Sequence, residues 1–118
     1  MRINELITNH LDHQFKTAYH VTGTENAEEI LHGGLDPYDG KAFMVVDTGD
    51  KDKLRKDLNT VGNWMYAKSA GSDDPLTLLQ IDITNLPLGH EHGWYFSTIK
   101  IPPNRIRDLG EDELSKYV

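Results

Sequence analysis

Residues 18–37, AYHVTGTENAEEILHGGLDP, restrict the fold more than any other part of the chain. A short run rich in aromatic and β-branched residues is followed by a Thr-Gly-Thr turn and then by an amphipathic stretch. The first part predicts a strand over 17–22, because such residues suit a pleated, half-buried surface. The second predicts a helix, since one face collects its apolar residues, Ala27, Ile30 and Leu31.

Turn chemistry predicts where this helix begins and ends. Thr22 or Thr24 can cap its first turn, and with Thr22 as the cap Glu25 occupies the capping-box position. Gly33-Gly34 supplies a left-handed C-terminal stop, and Pro37 prevents continuation.

Apolar periodicity predicts the other elements of the chain. The expected helices cover 3–14, 50–68 and 111–116, the expected strands cover 41–48, 76–83 and 94–101, and the expected loops cover 70–75 and 87–93. Asp47 or Thr48 is expected to cap the long helix, and Gly62 to favour a break within it.

The order of these elements indicates the fold class. Helices and strands alternate early in the chain and strands cluster late. We therefore predict an α+β fold with a compact, mixed, mainly antiparallel sheet and flanking helices, rather than a doubly wound parallel sheet. A length of 118 residues predicts one domain, residues 1–118.

Composition excludes several classes of protein. The chain contains no cysteine, so disulfides, thiolate catalysis and cysteine-based zinc sites are excluded. No apolar run has the length of a membrane span, and the N-terminus lacks the features of a signal peptide. We expect a cytoplasmic protein without membrane contact.

The net charge of −7 disfavours nucleic-acid partners, whose phosphates are bound by basic residues. The one dense basic cluster is interleaved with Asp50, Asp52 and Asp57. That pattern favours a solvated helix face with i,i+4 ion pairs over a phosphate-binding strip.

The segment YHVTGTENAEEILHGGLDP resembles the first motif of the ADP-ribosyltransferase superfamily, and its Gly-Gly-Leu ending resembles the DNA-modifying ADP-ribosyltransferase toxins. The later stretch IPPNRIRDL is similar to the closing strands of many small members. The resemblance implies the split-sheet fold of that superfamily and NAD as the substrate. It also implies transfer of ADP-ribose to an unidentified acceptor, through a ribosyl cation that the protein has to stabilise.

The resemblance also implies roles for particular residues. His20 would bind a ribose hydroxyl, Thr22 and Gly23 would hold nicotinamide, and Glu91 would orient the reacting sugar. The aromatic residue that stacks on nicotinamide would be Phe43, with Tyr38 and Tyr66 as substitutes from flanking segments. Trp94 could add a stacking surface, or, if exposed, indicate a protein partner.

Structural roles compete with each of these assignments. His20 could be a half-buried histidine within a sheet, Phe43 a core residue of a buried strand, and Glu91 a solvent-exposed loop residue. His90 and His92 could face one side of an extended segment, but no third metal ligand has a characteristic spacing, and we predict no metal site. The pair could alternatively make the loop sensitive to pH.

Two alternative functions remain open on the sequence. One is a catalytically inactive domain of the same fold that binds a ligand or a protein. The other is an RNA 2'-phosphotransferase-like enzyme, which the acidic composition disfavours.

Overall fold

The computed structural model describes residues 10–11, 13–69 and 74–118, with side chains from residue 13 onward. The three α-helices in this part are α1 (Thr24–Gly33), α2 (Lys51–Lys68) and α3 (Glu111–Leu114). The strands are β1 (His10–Leu11), β2 (Thr17–Gly23), β3 (Ala42–Val46), β4 (Leu76–Asp82), β5 (Leu88–Glu91), β6 (Trp94–Ser97) and β7 (Ile106–Asp108). A 3-10 turn at Pro103–Arg105 precedes β7.

These strands form one sheet in the order β1-β5-β6-β3-β2-β4-β7. Every strand pair within the described residues is antiparallel. The predicted α+β class, the antiparallel sheet and the flanking helices are therefore confirmed. The parallel pairing that a mixed sheet implies does not occur in the described part of the chain.

The sheet carries an apolar core on each face. Ala27 and Ile30 of α1 pack on one face, where the cluster includes Ala18, Met44, Leu79 and Ile81. Leu54 and Leu58 of α2 and Leu114 of α3 pack on the other, with Val21, Val45 and Leu78. β4 is covered on both faces in its first half, where Leu76, Thr77, Leu78 and Leu79 are all buried. Its second half alternates between buried and less buried residues, since Ile81 is buried, Gln80 is half-buried and Asp82 is exposed.

The sheet divides between β2 and β3. Ala18 pairs with Val46 and Tyr19 with Val45, and the ladder between these two strands stops there. The first half of β3 pairs only with β6, which lies along its other edge. β2 continues along β4 to Gly23. The two strands therefore separate beside His20, and the backbone leaves a gap at that point.

The helix predicted over 3–14 is wrong at its C-terminal end. His10 and Leu11 pair with Gly89 and Leu88 as β1, because the free edge of β5 offers a full set of backbone partners. Beyond it, the Nε2 atom of His13 lies 2.7 Å from the Leu86 carbonyl oxygen. Residues 1–9 and 12 of this prediction lie outside the described residues.

The loop predicted over 87–93 is also wrong. Its first part is β5, and β5 and β6 form a hairpin whose turn is His92-Gly93. Both turn residues have positive φ, 53° and 85°, as a two-residue hairpin turn of the primed type requires. Glu91 is thus the last residue of a strand rather than a loop residue, and β6 ends at Ser97, short of the predicted residue 101.

The helix stop at Gly33-Gly34 is confirmed, whereas the predicted start is wrong. Gly34 has φ +94°, its N–H donates to the Ile30 carbonyl at 2.7 Å, and a Cβ there would lie 2.5 Å from the Ile101 carbonyl oxygen.

At the start of α1, Thr22 belongs to β2 and Thr24 is the first helical residue. The Asp74 carboxylate caps the helix instead, accepting from Thr24 Oγ1 at 2.5 Å and Glu25 N at 3.2 Å.

In α2, Asp50 is the cap in place of Asp47 or Thr48, and its side chain accepts from the N–H groups of Asp52 and Lys53. The helix continues through Gly62 without the predicted break. A Cβ at this position would displace the side chain of Val118, which packs against the glycine. Among the described helices none combines the length and apolarity needed to cross a membrane.

Candidate functional site

A cleft of about 860 Å³ opens where β2 and β3 separate. β2, α1, the connection from α1 to β3, α2 and the end of β5 contribute to its wall. Four of the residues predicted from the sequence lie in this wall: His20, Thr22, Phe43 and Glu91. His20 and Glu91 are far apart in the chain, and the hairpin of β5 and β6 places them on the same cleft.

The ring of His20 spans the gap in the sheet. Its Nδ1 atom lies 3.1 Å from the Phe43 carbonyl oxygen. A carbonyl only accepts, so the proton of the neutral imidazole is on Nδ1 and Nε2 is left as an acceptor. Nε2 has no hydrogen-bond partner in the described part of the chain, and it is not among atoms sealed from solvent.

Burial lowers the pKa of His20 from its ordinary value, and the hydrogen bond to Phe43 opposes the shift only in part. The imidazole is therefore neutral at pH 7. A neutral ring with an accessible Nε2 can accept a hydrogen bond from a ligand hydroxyl.

Thr22 is buried and lines the cleft beside Asn26 of α1. The Asn26 amide donates to Thr22 Oγ1 at 2.8 Å, which fixes the threonine side chain. Gly23 lies beyond the lining, at the start of α1. A Cβ on Gly23 would overlap the Asp74 carboxylate that caps the helix, so this glycine preserves the cap.

Glu91 is held in the cleft by Lys41. The Lys41 Nζ atom lies 2.5 Å from Glu91 Oε2 and 5.0 Å from the centre of the Phe96 ring. Glu91 Oε1 lies 4.0 Å from Nε2 of His92. The hydrogen bond from Lys41 lowers the pKa of Glu91, so the carboxylate is ionised at neutral pH.

Phe43 is 44% exposed, and its interpretation as a core residue is wrong. The ring is uncovered because β2 has already left β3 at this level. It contacts Phe96, with ring centres 5.5 Å apart, and lines the cleft. Tyr38, 85% exposed, lines the cleft as well, whereas Tyr66 lines neither this cleft nor the cavity beside it.

Trp94 lies in a second cavity, of about 460 Å³, between α2 and the sheet. As predicted for a strand, Trp94 and Tyr95 point to opposite faces: Trp94 packs with the α2 cluster and Tyr95 with the α1 cluster. The two spaces share part of their wall, because five residues line both: His20, Val21, Phe43, Trp64 and Met65.

Three residues of the site were missed by the sequence interpretation: Asn26, Lys41 and Trp64. Trp64 had a detectable signal, since a tryptophan outside the apolar stripe of an amphipathic helix has to lie on the surface or in a cleft; its side chain is 60% exposed. Asn26 and Lys41 carry no comparable signal, because asparagine and lysine are ordinary on exposed surfaces.

The described residues include no group of three histidine, cysteine, aspartate or glutamate side chains arranged to hold a metal ion. His90 instead packs on Tyr95, with ring centres 4.4 Å apart, and the His92 side chain is 89% exposed.

Comparison of the chain with protein-family models, with curated proteins and with solved structures gave no match. The function is therefore inferred from the geometry of the cleft and from the sequence motif.

Proposed function

We propose that the protein is an NAD-binding ADP-ribosyltransferase-like enzyme that transfers ADP-ribose to an unidentified acceptor, with the split-sheet architecture of that superfamily. One observation carries the proposal. A neutral histidine, an uncovered aromatic ring and an ionised carboxylate, at His20, Phe43 and Glu91, line one cleft beside a break in the sheet.

Each of the three groups suits one part of NAD. Nε2 of His20 can accept from a ribose hydroxyl, and the exposed ring of Phe43 can stack on nicotinamide. Glu91 supplies negative charge for the ribosyl cation that forms as the bond from ribose to nicotinamide breaks. The bonding electrons leave with nicotinamide, the acceptor attacks the anomeric carbon, and the acceptor proton passes to solvent.

The Lys41–Glu91 ion pair constrains this chemistry. While Lys41 occupies Oε2, only Oε1 is available to a ribose hydroxyl, and the nearby ammonium offsets part of the carboxylate charge. The pair thus favours, as a second candidate, a domain that binds the nucleotide without cleaving it.

The RNA 2'-phosphotransferase alternative is supported less well. The cleft wall holds four carboxylates and three lysines. The carboxylates are those of Glu29, Asp36, Asp39 and Glu91, and the lysines are Lys41, Lys68 and Lys100. The wall therefore lacks the excess of basic side chains that binding of a nucleic-acid backbone requires.

Release of nicotinamide from NAD tests the catalytic part of the proposal. We expect the wild type to release nicotinamide and Glu91→Gln to be slower on the order of 100-fold, the loss typical for an electrostatic group at a reacting centre. Glu29→Gln, at another carboxylate of the same wall, is the matched control and should retain the wild-type rate.

The outcomes distinguish the candidates. Binding of NAD without release of nicotinamide favours the inactive binding domain. An equal rate in Glu91→Gln and the wild type removes Glu91 from the mechanism, and a protein that neither binds nor cleaves NAD contradicts the proposal as a whole.

A further inference from the structure

The second cavity has a lining unlike that of the cleft. It lies between α2 and the face of β2, β3 and β6 that α2 covers, and its wall is almost entirely apolar. The lining residues are Tyr19, His20, Val21, Phe43, Met44, Val45, Thr60, Val61, Trp64, Met65 and Trp94.

The wall offers little to a charged ligand. No lining side chain carries a charge at neutral pH, since burial lowers the pKa of the one histidine, His20. The Thr60 hydroxyl already donates to the Lys56 carbonyl oxygen at 3.0 Å. The lining contains no lysine or arginine to pair with an anion and no carboxylate to pair with a cation, so it favours an uncharged occupant.

Aromatic rings dominate the wall, and they come from three separate elements. Phe43 is on β3, Trp94 on β6 and Trp64 on α2. Aromatic rings attract one another in offset and edge-on arrangements beyond the effect of area, and the sulfur of Met65, which packs with the α2 cluster, adds favourable contacts to ring edges. The volume of about 460 Å³ is within the range of small-molecule sites.

We propose that this cavity binds an uncharged, planar aromatic molecule of one or two fused rings between Trp64 and the sheet residues Phe43 and Trp94. This site adjoins the proposed NAD site, since five of its eleven lining residues, His20 and Phe43 among them, also line the cleft. The proposal rests on the apolar lining of the cavity and does not depend on NAD binding in the cleft.

N-phenyl-1-naphthylamine, an uncharged dye that fluoresces in apolar surroundings, tests the site directly. The chain contains two tryptophans, Trp64 and Trp94, and both line the cavity, so all tryptophan emission reports on it. We expect a saturable rise in dye fluorescence at one molecule per chain, with quenching of tryptophan emission by energy transfer. Indole should displace the dye, and 1-hexanol of similar hydrophobicity should not.

A matched pair of variants locates the dye. Thr60→Phe adds a ring at the edge of the cavity, where Thr60 is exposed but lines the wall, and should weaken binding at least about tenfold, which corresponds to roughly 1.4 kcal/mol. Asn63→Phe places the same ring at an exposed position of the same helix, outside both cavities, and should leave binding unchanged. Tyr38→Ser, which alters only the wall of the cleft, should also have no effect.

Several results overturn the proposal: a linear rise in fluorescence without saturation, wild-type affinity in Thr60→Phe, or equal losses in the two phenylalanine variants. Displacement by 1-hexanol as efficient as by indole contradicts an aromatic ligand, and a loss in Tyr38→Ser places the dye in the cleft. Should Thr60→Phe fail to fold, Trp94→Leu, at a residue that lines this cavity and not the cleft, gives the same test and should weaken binding likewise.

Discussion

The His20 imidazole joins two strands that no longer pair through their backbones: its Nδ1 atom lies 3.1 Å from the Phe43 carbonyl oxygen. His20 is one position and Phe43 two positions beyond the last backbone pair of β2 and β3, Tyr19 with Val45. The ring thereby replaces a ladder hydrogen bond at the point where the sheet opens. The same contact fixes the tautomer of the neutral ring and leaves Nε2 as an acceptor without a partner in the described residues.

The first prediction concerns the protonation of His20. Because burial lowers its pKa, we expect the His20 ring to remain neutral at pH 7 and to take up a proton only below the ordinary value of 6.5. Titration of the imidazole resonances by NMR measures this directly. A ring that titrates above 6.5 would contradict the assignment of a neutral acceptor.

The same shift affects stability. Between the unfolded pKa of 6.5 and the lower folded pKa, the unfolded chain binds a proton that the folded protein does not, so the free energy of unfolding falls as the pH falls through this range. His20→Gln should remove that part of the pH dependence in urea unfolding. His32→Gln, at an exposed histidine of α1, should leave it in place.

The second prediction concerns Glu91 and Lys41. The hydrogen bond from Lys41 lowers the pKa of Glu91, so Lys41→Met should raise that pKa toward the ordinary value of 4.5. The side-chain carboxyl resonance in a ¹³C NMR titration reports the change. Lys100→Met, which removes another exposed lysine of the cleft wall, is the control.

In Lys41→Met, the acidic side of the pH–rate profile of NAD cleavage should shift to higher pH, as the pKa of Glu91 does. The stabilisation from the pair is present above pH 4.5 and is lost as the pH falls through the lowered pKa of Glu91. If the Glu91 resonance titrates at the same pH in Lys41→Met and the wild type, the ion pair does not form in solution.

The third prediction concerns the cap of α1, the helix that follows the His20 strand. Asp74→Ala removes the acceptor for Thr24 Oγ1 and Glu25 N, and should lower the free energy of unfolding by about 1 kcal/mol, the usual cost of losing a helix cap. Urea unfolding measures it. Glu28→Ala, at an exposed position within the same helix, should change stability by less than about 0.5 kcal/mol.

Local patterns predicted most of the secondary structure. The apolar periodicity located β2, α1, β3 and α2. A period of two or 3.6 residues follows from the local backbone conformation and does not depend on how the elements are arranged around it. The cap of α1 could not be found in this way. Asp74 lies far along the chain from Thr24, and only the sheet brings the two together.

Local patterns did not predict the first strand of the hairpin formed by β5 and β6. Gly89 and His90 have no strand signature of their own, and they form a strand because β1 and β6 supply partners on both sides. The exposure of Phe43 has the same origin: an apolar run predicts burial, and only the separation of β2 from β3 uncovers this ring.

The sequence interpretation assigned His20 and Glu91 to one site through the family resemblance and not through any spacing in the sequence. Their shared cleft depends on the strand order β5-β6-β3-β2. No local pattern determines that order.

Isothermal titration calorimetry with NAD, on the wild type and on His20→Ala, tests the central claim most directly. We expect binding to the wild type at one site per chain, and affinity at least about tenfold lower in His20→Ala, since a hydrogen bond to ribose and its fixed geometry are lost together. His32→Ala, which removes a histidine outside both cavities, should bind like the wild type. The absence of heat with the wild type, or equal affinities for the wild type and His20→Ala, would contradict the assignment of this cleft as an NAD site.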